Sequence, residues 1–311
     1  MTVPRLERIR HGSGRYNAPV ADLPGFLGLT EEETPYETSR VAVLPVPLER
    51  TVSYGHGTAQ GPAALLAAST QVELYDETSG TEPWAALGIH TLPALDELPD
   101  DLGEALDRIE SEAERHLRAG KFLATIGGEH SLSAALVRAG RTVHGKLGVV
   151  QFDAHADLRD SYEGTPHSHA CVMRRIVELG CPTLAVGIRA LSTPEGAFIR
   201  ERDLTTVWGR ELASLAVERF SQLVDALPPR VYLTFDVDYF DPSIVPSTGT
   251  PEPGGGLWYP TLALLAELFR RRQVVAMDVV ELAPVADRPA SDFIAARLLY
   301  KCFGYLAASS D

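Results

Sequence analysis

Three short clusters of acids and imidazoles stand directly after apolar runs. FLATI at 122–126 leads into Gly127, Gly128, Glu129, His130 and Ser131, GVVQF at 148–152 leads into Asp153, Ala154, His155, Ala156 and Asp157, and VYLTF at 231–235 leads into Asp236, Val237 and Asp238. In an extended chain, residues two apart point to the same side, so the D-x-H-x-D and D-x-D spacings each turn their polar side chains toward one point. His130, Asp153, His155, Asp157, Asp236 and Asp238 offer six nitrogen and oxygen donors, enough for two divalent ions where some carboxylates bridge. With no thiolate in the set, these donors suit manganese better than iron, cobalt, nickel or zinc. Paired ions of this kind sit about 3.5 to 4 Å apart and share a water whose pKa falls into the useful range. Each cluster alone has an ordinary reading: D-x-D as a turn, GGEHS as a glycine-permitted turn with Ser131 capping a helix. Three together at strand ends select the metal reading.

Charge narrows what such a centre accepts. Two divalent ions bring four positive charges, four Asp carboxylates cancel them, and a bridging hydroxide leaves the centre about one unit negative. It repels phosphate and admits a cation. A dinuclear phosphoesterase needs basic groups to hold its anion, and Arg159 is the only one beside the clusters. The formal net charge of -14, with 28 Lys and Arg against 42 Asp and Glu, argues against nucleic acid as a partner. The same acidic excess also serves solubility.

The elements that must position these residues are legible as alternation. Apolar, β-branched runs at 41–46, 122–128, 147–153, 183–188, 231–238 and 274–282 read as strands buried on both faces. Amphipathic or Ala-rich stretches at 100–119, 132–139, 170–179, 211–226 and 260–272 read as helices between them. The pattern predicts a three-layer α/β/α domain with a central, mostly parallel sheet, whose ligands bind outside the carboxyl ends of the strands. Residues 1–40, rich in Gly, Pro and acids, are expected to form an N-terminal extension packed on the domain or at a subunit contact, and 41–311 a single catalytic domain. No signal-peptide pattern and no run of 18 apolar residues is present, so a soluble cytoplasmic protein without a membrane partner is expected. Cys171, Cys181 and Cys302 show no C-x-x-C spacing and read as small buried side chains.

GGEHS, DAHAD and DVDYFDPSIVPSTGTPEPGG at 236–255 resemble the signatures of the ureohydrolase family, which contains arginase, agmatinase, guanidinobutyrase and formiminoglutamase. SYGHGTAQGPAALLAAS at 53–69 and VVELAP at 279–284 resemble further family segments in the expected order. The resemblance implies an arginase-like fold, two Mn2+ per chain and hydrolysis of a guanidinium group to urea. It implies that His130 and Asp157 bind one ion and His155 and Asp238 the other, with Asp153 and Asp236 bridging. Asp157 would also orient the shared hydroxide, Glu281 would pair with the guanidinium, and His169 would shuttle a proton to the leaving amine. His167 competes for that last role, and Asp241 stands to steady a metal ligand. Trimers or hexamers are implied as the homo-oligomeric state.

The far end of the substrate is read from residues 158–168. This loop lacks the asparagine and serine pattern of arginases, and the following HACVMRR resembles agmatinases. Asp160 or Glu163 is expected to attract the ammonium of agmatine, giving putrescine and urea. Tyr54 and His56 either line the same mouth or form a Gly-rich turn. The alternatives are N1-aminopropylagmatine, giving spermidine and urea, or another guanidino compound such as guanidinobutyrate or arginine. Two readings of other classes are a non-catalytic polyamine-binding homologue, which should lack a ligand where none is missing here, and a deacetylase-type site holding one zinc.

Overall fold

Runs of residues that are apolar on every position can be satisfied only where helices cover both sides of a sheet. The computed structural model, which describes residues 24–309, shows this arrangement. Eight strands, β1 (Val41–Val46), β2 (Ile89–Thr91), β3 (Phe122–Gly127), β4 (Gly148–Phe152), β5 (Thr183–Ile188), β6 (Thr205–Trp208), β7 (Arg230–Asp236) and β8 (Gln273–Val280), form one sheet in the order β2-β1-β3-β8-β7-β4-β5-β6. Every pairing is parallel. The helices are α1 (Gly61–Ser69), α2 (Pro83–Leu87), α3 (Leu102–Arg118), α4 (Ser133–His144), α5 (Val172–Glu178), α6 (Thr193–Glu201), α7 (Val217–Asp225), α8 (Trp258–Arg271) and α9 (Ala290–Ala308).

Alternate strand residues feed two cores. Val41 and Val43 join Leu65, Leu265 and Phe303 on the face covered by α1, α7, α8 and α9. Ala42 and Leu44 join Ile109, Leu136 and Ile176 on the face covered by α3, α4, α5 and α6. Helix α3 shows how the sequence specifies a covering element. Asp101 caps it by accepting from the Glu104 N–H, and Leu106, Ile109, Ala113 and Leu117 recur on its buried side.

The sheet has two more strands than the six apolar runs suggest. β2 and β6 are edge strands of three and four residues, too short to show a pattern. Helices α1, α2, α6 and α9 also lie outside the amphipathic stretches, and 209–214 is a separate 3-10 turn before α7. Residues 24–40 lie against the body: the Leu27 N–H donates to Ser69 Oγ at 2.8 Å, and the Phe26 and Phe303 rings meet edge to face at 5.6 Å. The rest of the expected extension, residues 1–23, falls outside the described residues. All three cysteines are buried and free. Among the described residues, no helix is long and apolar enough to cross a membrane.

One feature of register prepares the site. Thr125 of β3 pairs with Asp278 of β8, Asp278 with Thr234 of β7, and Thr234 with Gln151 of β4. Paired residues of adjacent parallel strands share a face, so these four make a polar row across the middle of the sheet. Asp153 and Asp236 stand two residues further along their strands, on the same side and at the carboxyl ends.

Candidate metal centre

The end of β3 is built around close backbone approach. A side chain at Gly128 would meet the Leu48 carbonyl oxygen at 2.0 Å, so only glycine lets the loop after β1 cross here. The chain then enters a 3-10 turn at His130, which is fully buried at the head of α4. The end of β4 brings Asp153, His155 and Asp157, the last with a left-handed backbone at φ 52°. β7 brings Asp236, whose carboxylate accepts from the Asp238 N–H at 2.8 Å and so turns Asp238 inward. Glu281 directly follows β8 and is also left-handed, at φ 63°, which reverses its carboxylate over β3 to accept the His130 N–H at 2.6 Å. Such conformations cost of order 1 kcal/mol or more and persist where packing over-determines them, as at functional sites.

His130 Nδ1 lies 3.1 Å from Asp157, 3.2 Å from Asp153 and 3.4 Å from Asp236, yet this buried nitrogen makes no hydrogen bond. His155 Nδ1 lies 2.8 Å from Asp238 and 3.8 Å from Asp153. The donors therefore fall into two groups, His130/Asp153/Asp157 and Asp153/His155/Asp238, which share Asp153. Asp236 faces the first group. An orphaned buried imidazole nitrogen ringed by carboxylates fits a divalent cation. A pair of cations fits the shared Asp153.

The electrostatics state the same requirement. Burial, then the neighbouring Asp157 and Asp238 charges, push Asp153 up to about 7. Burial and the charges of Asp238 and Asp153 push Asp236 well above the carboxylate range. Burial alone would lower His155, but Asp238, Asp153 and Asp157 outweigh it and hold the imidazole at about 11. Burial raises Glu281 to about 8. Without divalent cations the cluster retains protons to limit its own repulsion.

Behind the cluster, the polar row fixes the ligands. His130 Nε2 lies 2.8 Å from Thr234 Oγ1, whose hydroxyl donates to Asp278 at 2.7 Å, and Tyr232 OH donates to the other Asp278 oxygen at 2.7 Å. Thr234 has spent its hydrogen on Asp278, so it accepts the His130 Nε2–H and leaves Nδ1 bare toward the carboxylates. Gln151 Nε2 donates to Asp153 at 2.8 Å and to the His155 carbonyl at 3.1 Å. Gln151, Thr234 and Asp278 are absent from the residues read off the sequence. Their signal was available: Gln151 and Thr234 interrupt apolar runs two residues before a ligand, and Asp278 interrupts VVAMDVV.

A cavity of about 270 Å³ opens over the cluster, lined among others by Asp157, Asp236, Asp238, Glu281 and His169. His169 thus lines the same cavity as the carboxylates, while His167 lines a separate pocket with Arg138 and Arg175. Asp160 and Glu163 do not line the cavity. Arg174 and Arg175 reach back from α5 to pair with Asp160 at 3.8 and 3.0 Å, and Glu163 sits in an exposed turn at φ 49°. Asp241 caps a turn of its own, where the Ser243 hydroxyl and the Ser243 and Gly254 N–H groups hold it at about 2. The outer wall carries instead Tyr54, Leu191, Glu195 and Glu252, with Arg159 the one Arg or Lys side chain among the described residues that line it.

Comparison with known proteins agrees with this geometry. The model of the arginase family matches residues 39–304. The chain belongs to the arginase family. It is a ureohydrolase, an enzyme of guanidino C–N bonds. It is similar to the N(1)-aminopropylagmatine ureohydrolase of Synechocystis sp., 42% identical over 90% of this chain and 93% of that one. It is also similar to the agmatinase of Pyrococcus horikoshii, 33% identical over 85% and 91% of the two chains. The solved agmatine ureohydrolase of Thermoplasma volcanium superposes with a TM-score of 0.80 at 30% identity, covering 87% of this chain and 91% of that one.

Two outcomes follow for this arginase-family site. Metal ligands must be deprotonated, so apparent affinity should rise with pH through the range where Asp153, at about 7, gives up its proton. Calorimetry in buffers of different ionisation heat should show net proton release, and pH-independent binding without it would contradict the cluster as drawn. Asp278→Asn should weaken metal binding by about 10- to 100-fold by loosening the His130 orientation. Equilibrium dialysis against a chelator would measure this, and an unchanged affinity would remove Asp278 from the site.

Proposed function

We propose that the enzyme hydrolyses N1-aminopropylagmatine to spermidine and urea, with two Mn2+ in the His and Asp cluster. The agmatine reading of the loop acids gives way to this alternative, which the comparisons favour. The observation that carries it lies in the outer wall. The Glu252 carboxylate makes no hydrogen bond or ion pair with any described residue, although it lines the cavity, as does the exposed Tyr54. Glu195, by contrast, is consumed by the N–H groups of Leu158 and Ser192 and the Ser192 hydroxyl. An unpartnered acid and an aromatic face beyond the reacting end suit a long chain with more than one ammonium.

Divalent cations bound here supply Lewis acidity and make hydroxide available near neutral pH. Imidazole and carboxylate donors without thiolate support manganese. The chain's own groups do the rest. Glu281, with Oε1 engaged by the His130 N–H, presents its other oxygen for a guanidinium N–H. The arriving cation favours its charged form against the burial that raises it to about 8. Asp157 orients the attacking oxygen toward the guanidinium carbon, and His169 delivers a proton to the amine as the C–N bond breaks. Urea and the free polyamine leave.

A urea-release assay with manganese over N1-aminopropylagmatine, agmatine, guanidinobutyrate and arginine tests the assignment. The highest kcat/KM is expected for N1-aminopropylagmatine. Glu252→Gln should raise its KM about three- to tenfold, in line with one half-exposed charge contact, and leave kcat unchanged. A preference for guanidinobutyrate, whose tail is an anion, would overturn this reading.

A further inference from the structure

Glu129 is a buried carboxylate that neither faces the cavity nor joins the metal cluster, and its exposure is 0%. All its hydrogen bonds to described residues arrive from donors. The Arg50 and Thr51 N–H groups reach Oε2 at 2.5 and 2.6 Å, and the Thr51 and Ser131 hydroxyls reach Oε1 at 2.8 and 2.6 Å. Ser131, which its place after GGEH suggests as a helix cap, is one of these donors. The loop after β1 is thereby pinned to the end of β3.

Thr51 is the link to the chemistry. Its oxygen accepts the His169 N–H at 3.0 Å and lies 3.1 Å from His169 Nδ1. A hydroxyl has one hydrogen, and Thr51 gives it to Glu129. Toward Nδ1 it can only accept, so the hydrogen between them belongs to the imidazole. Neutral His169 is therefore the Nδ1–H tautomer. Its Nε2, which has no partner among the described residues, is left to the cavity that the ring lines. Ser168 Oγ, 3.3 Å from Nδ1, is able to accept the same N–H, and the Tyr162 ring meets the imidazole edge to face at 6.0 Å.

We propose that Thr51, held by Glu129, is a positioning residue that fixes the tautomer and orientation of His169, so that Nε2 carries the proton to the leaving amine. The inference rests on the role given to His169 above. It names a residue of the loop after β1, far from the metal ligands in sequence, as a determinant of turnover.

Thr51→Val keeps the size and removes the hydroxyl, and Thr51→Ser restores it. The valine variant should lose about ten- to a hundredfold in kcat, below or near the His169→Ala loss of about a hundredfold or more. Its KM should stay within about twofold and its metal content should match the wild type, while serine should recover most of kcat. Nitrogen-15 spectra of histidine-labelled protein, with the His169 signals identified by their absence in His169→Ala, should show Nδ1–H in the wild type and a tautomer mixture in Thr51→Val. Wild-type kcat in the valine variant, failure of serine to rescue, or an Nε2–H tautomer in the wild type would each overturn the proposal. The spectra read the positioning without turnover, so a wild type that releases no urea would sink the functional assignment separately.

Discussion

Five carboxylates, those of Asp153, Asp157, Asp236, Asp238 and Glu281, are buried around two imidazoles at the carboxyl ends of four central strands. Their mutual repulsion in a buried site is the constraint on which the rest of the structure depends. Desolvating unpaired charges costs several kcal/mol per ion even after relaxation, so the cluster needs either protons or divalent cations. Everything around it limits its freedom to relax. Backbone N–H groups hold Asp153, Asp236, Asp238 and Glu281 in place, and two of the acidic residues accept left-handed backbone to keep their side chains inward. A cluster so held cannot swell apart to ease its charge, and protons or divalent cations must balance it.

The polar row behind it turns this constraint into direction. Gln151, Thr234 and Asp278 sit on doubly covered strands where apolar residues would pack more cheaply. Each instead sets the orientation of a ligand or of the residue that holds one. The same logic recurs where Glu129 and Thr51 meet His169. In both places a buried carboxylate accepts a hydroxyl hydrogen, the hydroxyl oxygen accepts from an imidazole, and the far nitrogen is left bare. One hydrogen-bond grammar serves metal binding and proton delivery.

How much of this was legible in the sequence depended on the range of the interactions concerned. The six candidate donors were readable as a cluster because strand periodicity and strand-end position are local properties, and Asp153, His155 and Asp157 declare both within five residues. Strands β1, β3, β4, β5, β7 and β8 were readable for the same reason. Edge strand β2 has three residues and carries no period, and α9 is buried nearly all round, so neither shows the contrast between faces that marks an element. The tail-binding acids were misplaced because the fate of Asp160 is decided by Arg174 and Arg175 on α5, more than a dozen residues away. Glu252 stood in plain view within TGTPEPGG, but only the folded wall shows that its carboxylate has no partner among the described residues.

The strand order bears on how the enzyme comes into being. β8 is the last strand to be synthesised, yet it lies in the middle of the sheet, pairing with β3 on one side and β7 on the other. Until it is inserted, β2, β1 and β3 form one fragment and β7, β4, β5 and β6 another, with His130 on the first and the aspartates on the second. The emerging chain can therefore hold neither the complete ligand set nor Glu281 before residues 273–281 have left the ribosome. Assembly of the candidate centre is thus tied to insertion of β8: a chain that ends before residue 273 lacks the strand that joins the His130 half of the sheet to the half carrying the aspartates.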